Sequence, residues 1–174
     1  MKHVTSQSIL EAVSLSILIL IGLGLRWSAA AKIGPSVFID DDSYWHYALQ
    51  LQVLKYGHLL NPNPYSWAPV GHPVNFAPLY EYVVPWVYLF LRHLGITTSL
   101  LSVAYYSNIP ATILDIVVLY FLIKELYGWI PGLIAASLLA TFDPAVFLSS
   151  IGQNREAYAT IWLCLLGVWL FILC

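Results

Sequence analysis

The chain has 174 residues, of which 60% are hydrophobic, 15% aromatic and only 9% charged, with a mean hydropathy of +0.76. Soluble domains carry roughly a quarter of charged residues, so this composition excludes an ordinary water-soluble domain and indicates a membrane protein. The formal net charge is -2 and the basic residues stand singly (Lys2, Arg26, Lys32, Lys55, Arg92, Lys124, Arg155), so no basic stripe exists that could neutralise a run of phosphates, which excludes nucleic acid as a partner.

Residues 1–26 read as a first transmembrane helix, built on the apolar run from Ile9 to Leu25 that only Glu11 interrupts. Such a run, with its flanks, meets the ~17 to 25 residues a bilayer requires. Ser28-Ala29-Ala30-Ala31 behind it keeps a cleaved signal peptide as the alternative to a retained anchor. Residues 27–99 then form a long first external loop with juxtamembrane helices. Its first helix is predicted over SYWHYALQLQVLKY, with Asp42 as the capping acid and Gly57 as the stop after Tyr56. NPNPYSWAPVGHPVNFAP, from Asn61 to Pro78, holds five prolines and one glycine and forbids a continuous helix, so it reads as a structured loop. LYEYVVPWVYLFLRHLG follows. It is apolar but carries Glu81, Pro85, Arg92 and His93, the marks of an interfacial or partly re-entrant helix, with tyrosines and tryptophans suited to the headgroup level.

Further transmembrane helices are predicted over 100–123 and 130–148, then a second external loop over 149–156 and a fourth helix over 157–174. That last segment is still apolar at Cys174, which leads us to expect the front part of a longer polytopic chain. Cys164 and Cys174 lie ten residues apart in it, about 15 Å along a helix and too far for a disulfide. Asp115 stands inside the second span with no companion visible in the sequence; packing and functional roles are both open to it. Asp143-Pro144 marks a helix end, and His58, His72 and His93 are singletons without ligand spacing. The fold class expected is an all-α polytopic membrane protein with about four transmembrane helices and a long, helix-containing first external loop.

Asp40, Asp41 and Asp42 gather a third of the acidic side chains at the start of a juxtamembrane helix. The amino end of a helix accommodates one carboxylate readily. Three adjacent ones repel one another and ask for a cation, and oxygen donors without cysteine, with only His46 near, suit Mg²⁺ or Mn²⁺ better than zinc. Such an ion serves to stabilise charge developing on a departing phosphate oxygen. A solvated loop start with an ordinary helix cap is the alternative reading.

Asp42-Ser43-Tyr44-Trp45-His46-Tyr47 resembles the first-loop pattern of oligosaccharyltransferase catalytic subunits, particularly the archaeal type: an aspartate, two aromatics, His or Asn, then Tyr. The helix ending at Gly57, Asn-Pro before Tyr65, Pro69-Val70-Gly71 and Ala77-Pro78-Leu79-Tyr80-Glu81-Tyr82 follow in the family's order, and KELYGWIPGLIAASLLATFDPAVFLSSIG is similar to its third span and the approach to its second loop. The resemblance implies a GT-C glycosyltransferase that moves a glycan from a polyprenyl or dolichyl phosphate or diphosphate carrier in the membrane lipid to an acceptor polypeptide, at asparagine. It implies that Asp42 binds the catalytic Mg²⁺ or Mn²⁺ and that the first loop faces the external side, against the distribution of basic residues. Asp40 and Asp41 have no secure counterpart and are further metal candidates. In the second loop the family's acidic pair would fall, counted from Gly152, on Arg155 and Ala157; Glu156 offers a carboxylate one residue displaced, as a catalytic and metal candidate. His46 and Arg155 are the substrate-binding candidates, Arg155 alternatively pairing with Glu156 or snorkelling at the head of the fourth span. A GT-C enzyme with another acceptor (protein O-mannosylation or lipid glycosylation), a noncatalytic subunit and a transporter half are the competing functions.

Overall fold

The computed structural model describes residues 6–35, 38, 41–64, 70, 71, 73 and 79–142, with the backbone alone at Asp41. Every regular element among them is helical: α1 (Ser6–Ile33), α2 (Asp41–Tyr56), α3 (Leu79–His93), α4 (Leu100–Tyr106), α5 (Asn108–Tyr127) and α6 (Trp129–Thr141).

The run of leucines and isoleucines in α1 holds no proline, and its 28 residues reach about 42 Å at the helical rise. It is the one described helix long and apolar enough to cross a membrane, and Ile9, Leu20 and Trp27 among others stand exposed along it. The helix continues past Arg26 to Ile33 because Arg26 has partners inside the protein. Its guanidinium is fully buried and donates to Gly22 O at 3.2 Å, Ala140 O at 3.0 Å and Leu139 O at 3.0 Å. The last two carbonyls belong to the end of α6, where helix carbonyls lack partners of their own and carry the negative end of the dipole.

The segment expected as one span over 100–123 is two helices meeting at Ser107. Pro110 explains the interruption, since it has no N–H to donate back to Tyr106, and it sits in the first turn of α5 where that loss is tolerated. Ser107 keeps helical dihedrals, φ -63° and ψ -26°, so α4 leads into α5 without a sharp turn. Gly128, at φ 93°, then reverses the chain into α6. Along α6 the small residues Gly132, Ala136 and Ala140 recur every four positions and are buried against Ile116 and Tyr120 of α5. A Cβ at position 132 would lie 3.0 Å from Tyr120 O, so close backbone approach is what this face provides.

The three helices α1, α5 and α6 pack on one another with α5 antiparallel to the other two. At one end Glu11 of α1 accepts from Lys124 and, at 3.2 Å, from the Tyr120 hydroxyl of α5. At the other end the Arg26 contacts join α1 to the end of α6. The helices α2, α3 and α4 assemble at this second end around Ala30, Phe38, Tyr80, Val84, Val103, Ala104 and Tyr105, with the Tyr105 hydroxyl donating to Ala30 O at 3.1 Å.

Candidate functional site at the start of α2

Apolar and polar residues are spread almost evenly around α2, so hydrophobic burial alone sets its rotation only weakly. Its buried side instead includes Ser43, His46 and Gln50 beside Leu49 and Val53. The helix starts at Asp41, two residues earlier than expected, which puts Asp42 in the first turn and not at the cap; it ends at Tyr56 as expected, with Gly57 at φ 78°. The Asp42 side chain is exposed.

One turn further on, His46 points inward. Its Nδ1 lies 2.6 Å from Oε1 of Glu81, in the first turn of α3, and the two residues are 4% and 0% exposed. The edge-to-face rings of Trp45 at 4.9 Å and Tyr80 at 5.7 Å clamp the imidazole. Oε2 of Glu81 is buried and has no hydrogen-bond partner among the described residues. Farther along α2, Gln52 Nε2 donates to Asn63 Oδ1 at 2.9 Å and its Oε1 accepts from Leu60 N at 3.3 Å, while Leu59 N donates to the Tyr82 hydroxyl at 3.2 Å. These bonds tie the loop after Gly57 to both helices. Before α2, Phe38 N donates to the Tyr44 hydroxyl at 3.2 Å and the Phe38 ring meets those of Tyr44, Tyr47 and Tyr105. Burial, and then the neighbouring Tyr88, push the Tyr47 hydroxyl above its usual range.

Of the residues singled out by sequence, Asp42 and His46 share one helix and one end of the molecule, while Asp40, the side chain of Asp41, Arg155 and Glu156 lie outside the described residues. Asp143-Pro144 and both cysteines lie outside them as well. Glu81 was legible as a charge in an apolar segment and as a letter in a motif, but its partnership with His46 was not foreseen. Asp115 does have a companion. It is buried on α5 and attracted electrostatically to Arg26 of α1, a neighbour the sequence did not reveal. Its Oδ1 has no hydrogen-bond partner among the described residues.

Among the described residues no three His, Cys, Asp or Glu side chains converge on a point that could hold a metal ion. The chemistry of what is present is compatible with a hard cation: an exposed carboxylate at the amino end of a helix, following two further aspartates in the chain, with no cysteine or methionine among the described residues.

The chain matches the family described as Oligosaccharyl transferase STT3, N-terminal, over residues 13–173, which takes in every described helix from the second turn of α1 onward. The chain belongs to the oligosaccharyl transferase STT3 family. No curated protein matches it. STT3 proteins are membrane-embedded glycosyltransferases that serve protein glycosylation, taking a lipid-linked oligosaccharide as donor and a protein as acceptor. The STT3 match includes the aspartate triplet, α2, the proline-rich loop and α3, so the first-loop helices described above belong to the family's N-terminal region.

Proposed function

We propose that this chain contributes the amino-terminal half-site of an archaeal-type oligosaccharyltransferase of GT-C architecture. It transfers a glycan from a polyprenyl or dolichyl phosphate or diphosphate carrier to an asparagine of the acceptor polypeptide. Asp42, with Asp40, Asp41 and Glu156, would hold Mg²⁺ or Mn²⁺, which when bound neutralises charge on the departing phosphate oxygens. Arg155 offers a bidentate fork to a phosphate oxygen pair. The observation that carries this reading is positional: α6 ends against Arg26, at the same end of the helix bundle where α2 presents Asp42 to solvent. A site shared with Glu156 requires the loop that follows α6 to lie on that same side. With α1, the apolar α5 and α6 and the segment 157–174 supply the four spans of this reading, and the first loop faces the external side.

Replacing Asp42 by alanine tests the reading. We expect D42A to lower glycan transfer by about a hundredfold or more, the order of loss for a group that stabilises transition-state charge, while the protein stays in the membrane. Wild-type transfer by D42A would refute the metal role. The displaced register at Gly152, with Arg155 and Ala157 where the family pattern has acids, favours as second reading a GT-C enzyme that keeps Asp42 and uses another acceptor.

A further inference from the structure

The pair His46–Glu81 raises a question that packing alone does not answer. Each residue is buried, yet Oε2 of Glu81 has no hydrogen-bond partner among the described residues, and burying an oxygen without such a partner is costly. An apolar pair of similar volume would hold α2 against α3 without that cost. What an apolar pair would not do is fix the rotation of α2. The helix has almost no apolar stripe to orient it, and its buried side carries polar groups whose bonds are directional. The contact at 2.6 Å joins α2 directly to α3, and a proton lies between Nδ1 and Oε1 whichever atom carries it. Trp45 and Tyr80 close on the ring edges and leave the imidazole little freedom to follow a displaced partner.

His46 stands four residues after Asp42, so their Cβ atoms lie one helical turn apart and the rotation that seats one sets the direction of the other. We propose that Glu81 is a positioning residue for Asp42: through His46 it fixes the rotation of α2, and so the direction in which the Asp42 carboxylate is presented to the cation. The inference rests on the proposed metal role of Asp42. Residues that orient a metal ligand without binding the metal change its affinity by about 10–100-fold when altered.

The test uses the full chain in detergent micelles and Mn²⁺ as the probe, with binding read from the electron paramagnetic resonance signal of the free ion. Two variants separate length from charge. E81D keeps the carboxylate but withdraws it by one methylene, and E81Q keeps the length and an acceptor oxygen but removes the charge. The positioning role predicts that E81D binds Mn²⁺ about tenfold more weakly. It predicts that E81Q stays within about twofold of wild type, and that adding E81D to D42A changes nothing further, since Glu81 acts only through Asp42. Wild-type binding by E81D, or weaker binding by E81Q than by E81D, would overturn it while D42A still shows its loss. Undiminished Mn²⁺ binding by D42A is a different result, because it removes the metal reading itself. Both Glu81 variants retain a polar side chain that reaches toward His46, and near-ultraviolet circular dichroism of the tryptophans confirms that each is folded.

Discussion

Arg26 is the side chain whose burial is hardest to account for by hydrophobicity, and its bonds explain it. A guanidinium has five donors and no acceptor, and here three contacts go to backbone carbonyls, two of them at the end of another helix. Asp115 supplies the opposite charge. Removing the guanidinium leaves those buried carbonyls without their donors and Asp115 without its electrostatic neighbour, so R26M should destabilise the protein by about 3 kcal/mol. R26M/D115N should recover part of the loss, because the acid no longer stands alone, and the two substitutions are coupled. Denaturant unfolding in micelles measures both; a double variant as unstable as the sum of the singles would mean that Arg26 acts through the carbonyls only. The sequence showed Asp115 clearly, as an acid in an oily segment. It could not show the partner, because the partner sits on a different helix far away in the chain, and periodicity carries no information about which helices become neighbours. His46 and Glu81 were invisible as a pair for the same reason, although each was conspicuous by itself.

At the scale of elements, what could be read was what local chemistry dictates. Gly57 closes α2 where a stop was expected, at φ 78°. Pro110 likewise stands at the junction of α4 and α5, yet the apolar run through it masks the break, because hydropathy averages over a window longer than one turn. In α6 the composition WIPGLIAASLLAT is apolar on every side, so amphipathicity says nothing of which face is buried. The small residues do. Gly132, Ala136 and Ala140 form the buried stripe, while Ile134 and Leu138 face outward. We expect G132L to push α6 off the Tyr120 backbone and cost about 1–3 kcal/mol, the range for overpacking a close interface. L138A, on the outward face, should change stability by less than about 0.5 kcal/mol. Thermal unfolding in micelles compares them, and equal losses from the two would show that α6 is not held by its small-residue face.

For the whole molecule the decisive property is which groups share a side of the membrane, and two kinds of evidence meet there. The basic residues argue weakly for one orientation, with Lys124 at the amino-terminal end of α1, whereas membership of the STT3 family and the first-loop motifs argue for placing Asp42 externally. The packing limits the choice. With Glu11 bound to Lys124 at one end and Arg26 bound to the tip of α6 at the other, α2 and the turn at Gly128 lie at opposite ends of the helix bundle. If that bundle spans the bilayer, Tyr127, 71% exposed beside the turn, and Tyr56, exposed at the end of α2, must face opposite aqueous phases. Single cysteines at these positions, in a background with Cys164 and Cys174 changed to serine, should therefore be labelled by a membrane-impermeant maleimide from opposite sides: Y56C in intact cells, Y127C only after permeabilisation. Q153C, in the loop that carries Glu156, should label with Y56C. Labelling of Y56C and Y127C from one side would show that α1, α5 and α6 do not cross the membrane together. Labelling of Q153C with Y127C would separate Glu156 from Asp42 and dismantle the shared site, whatever each carboxylate does alone.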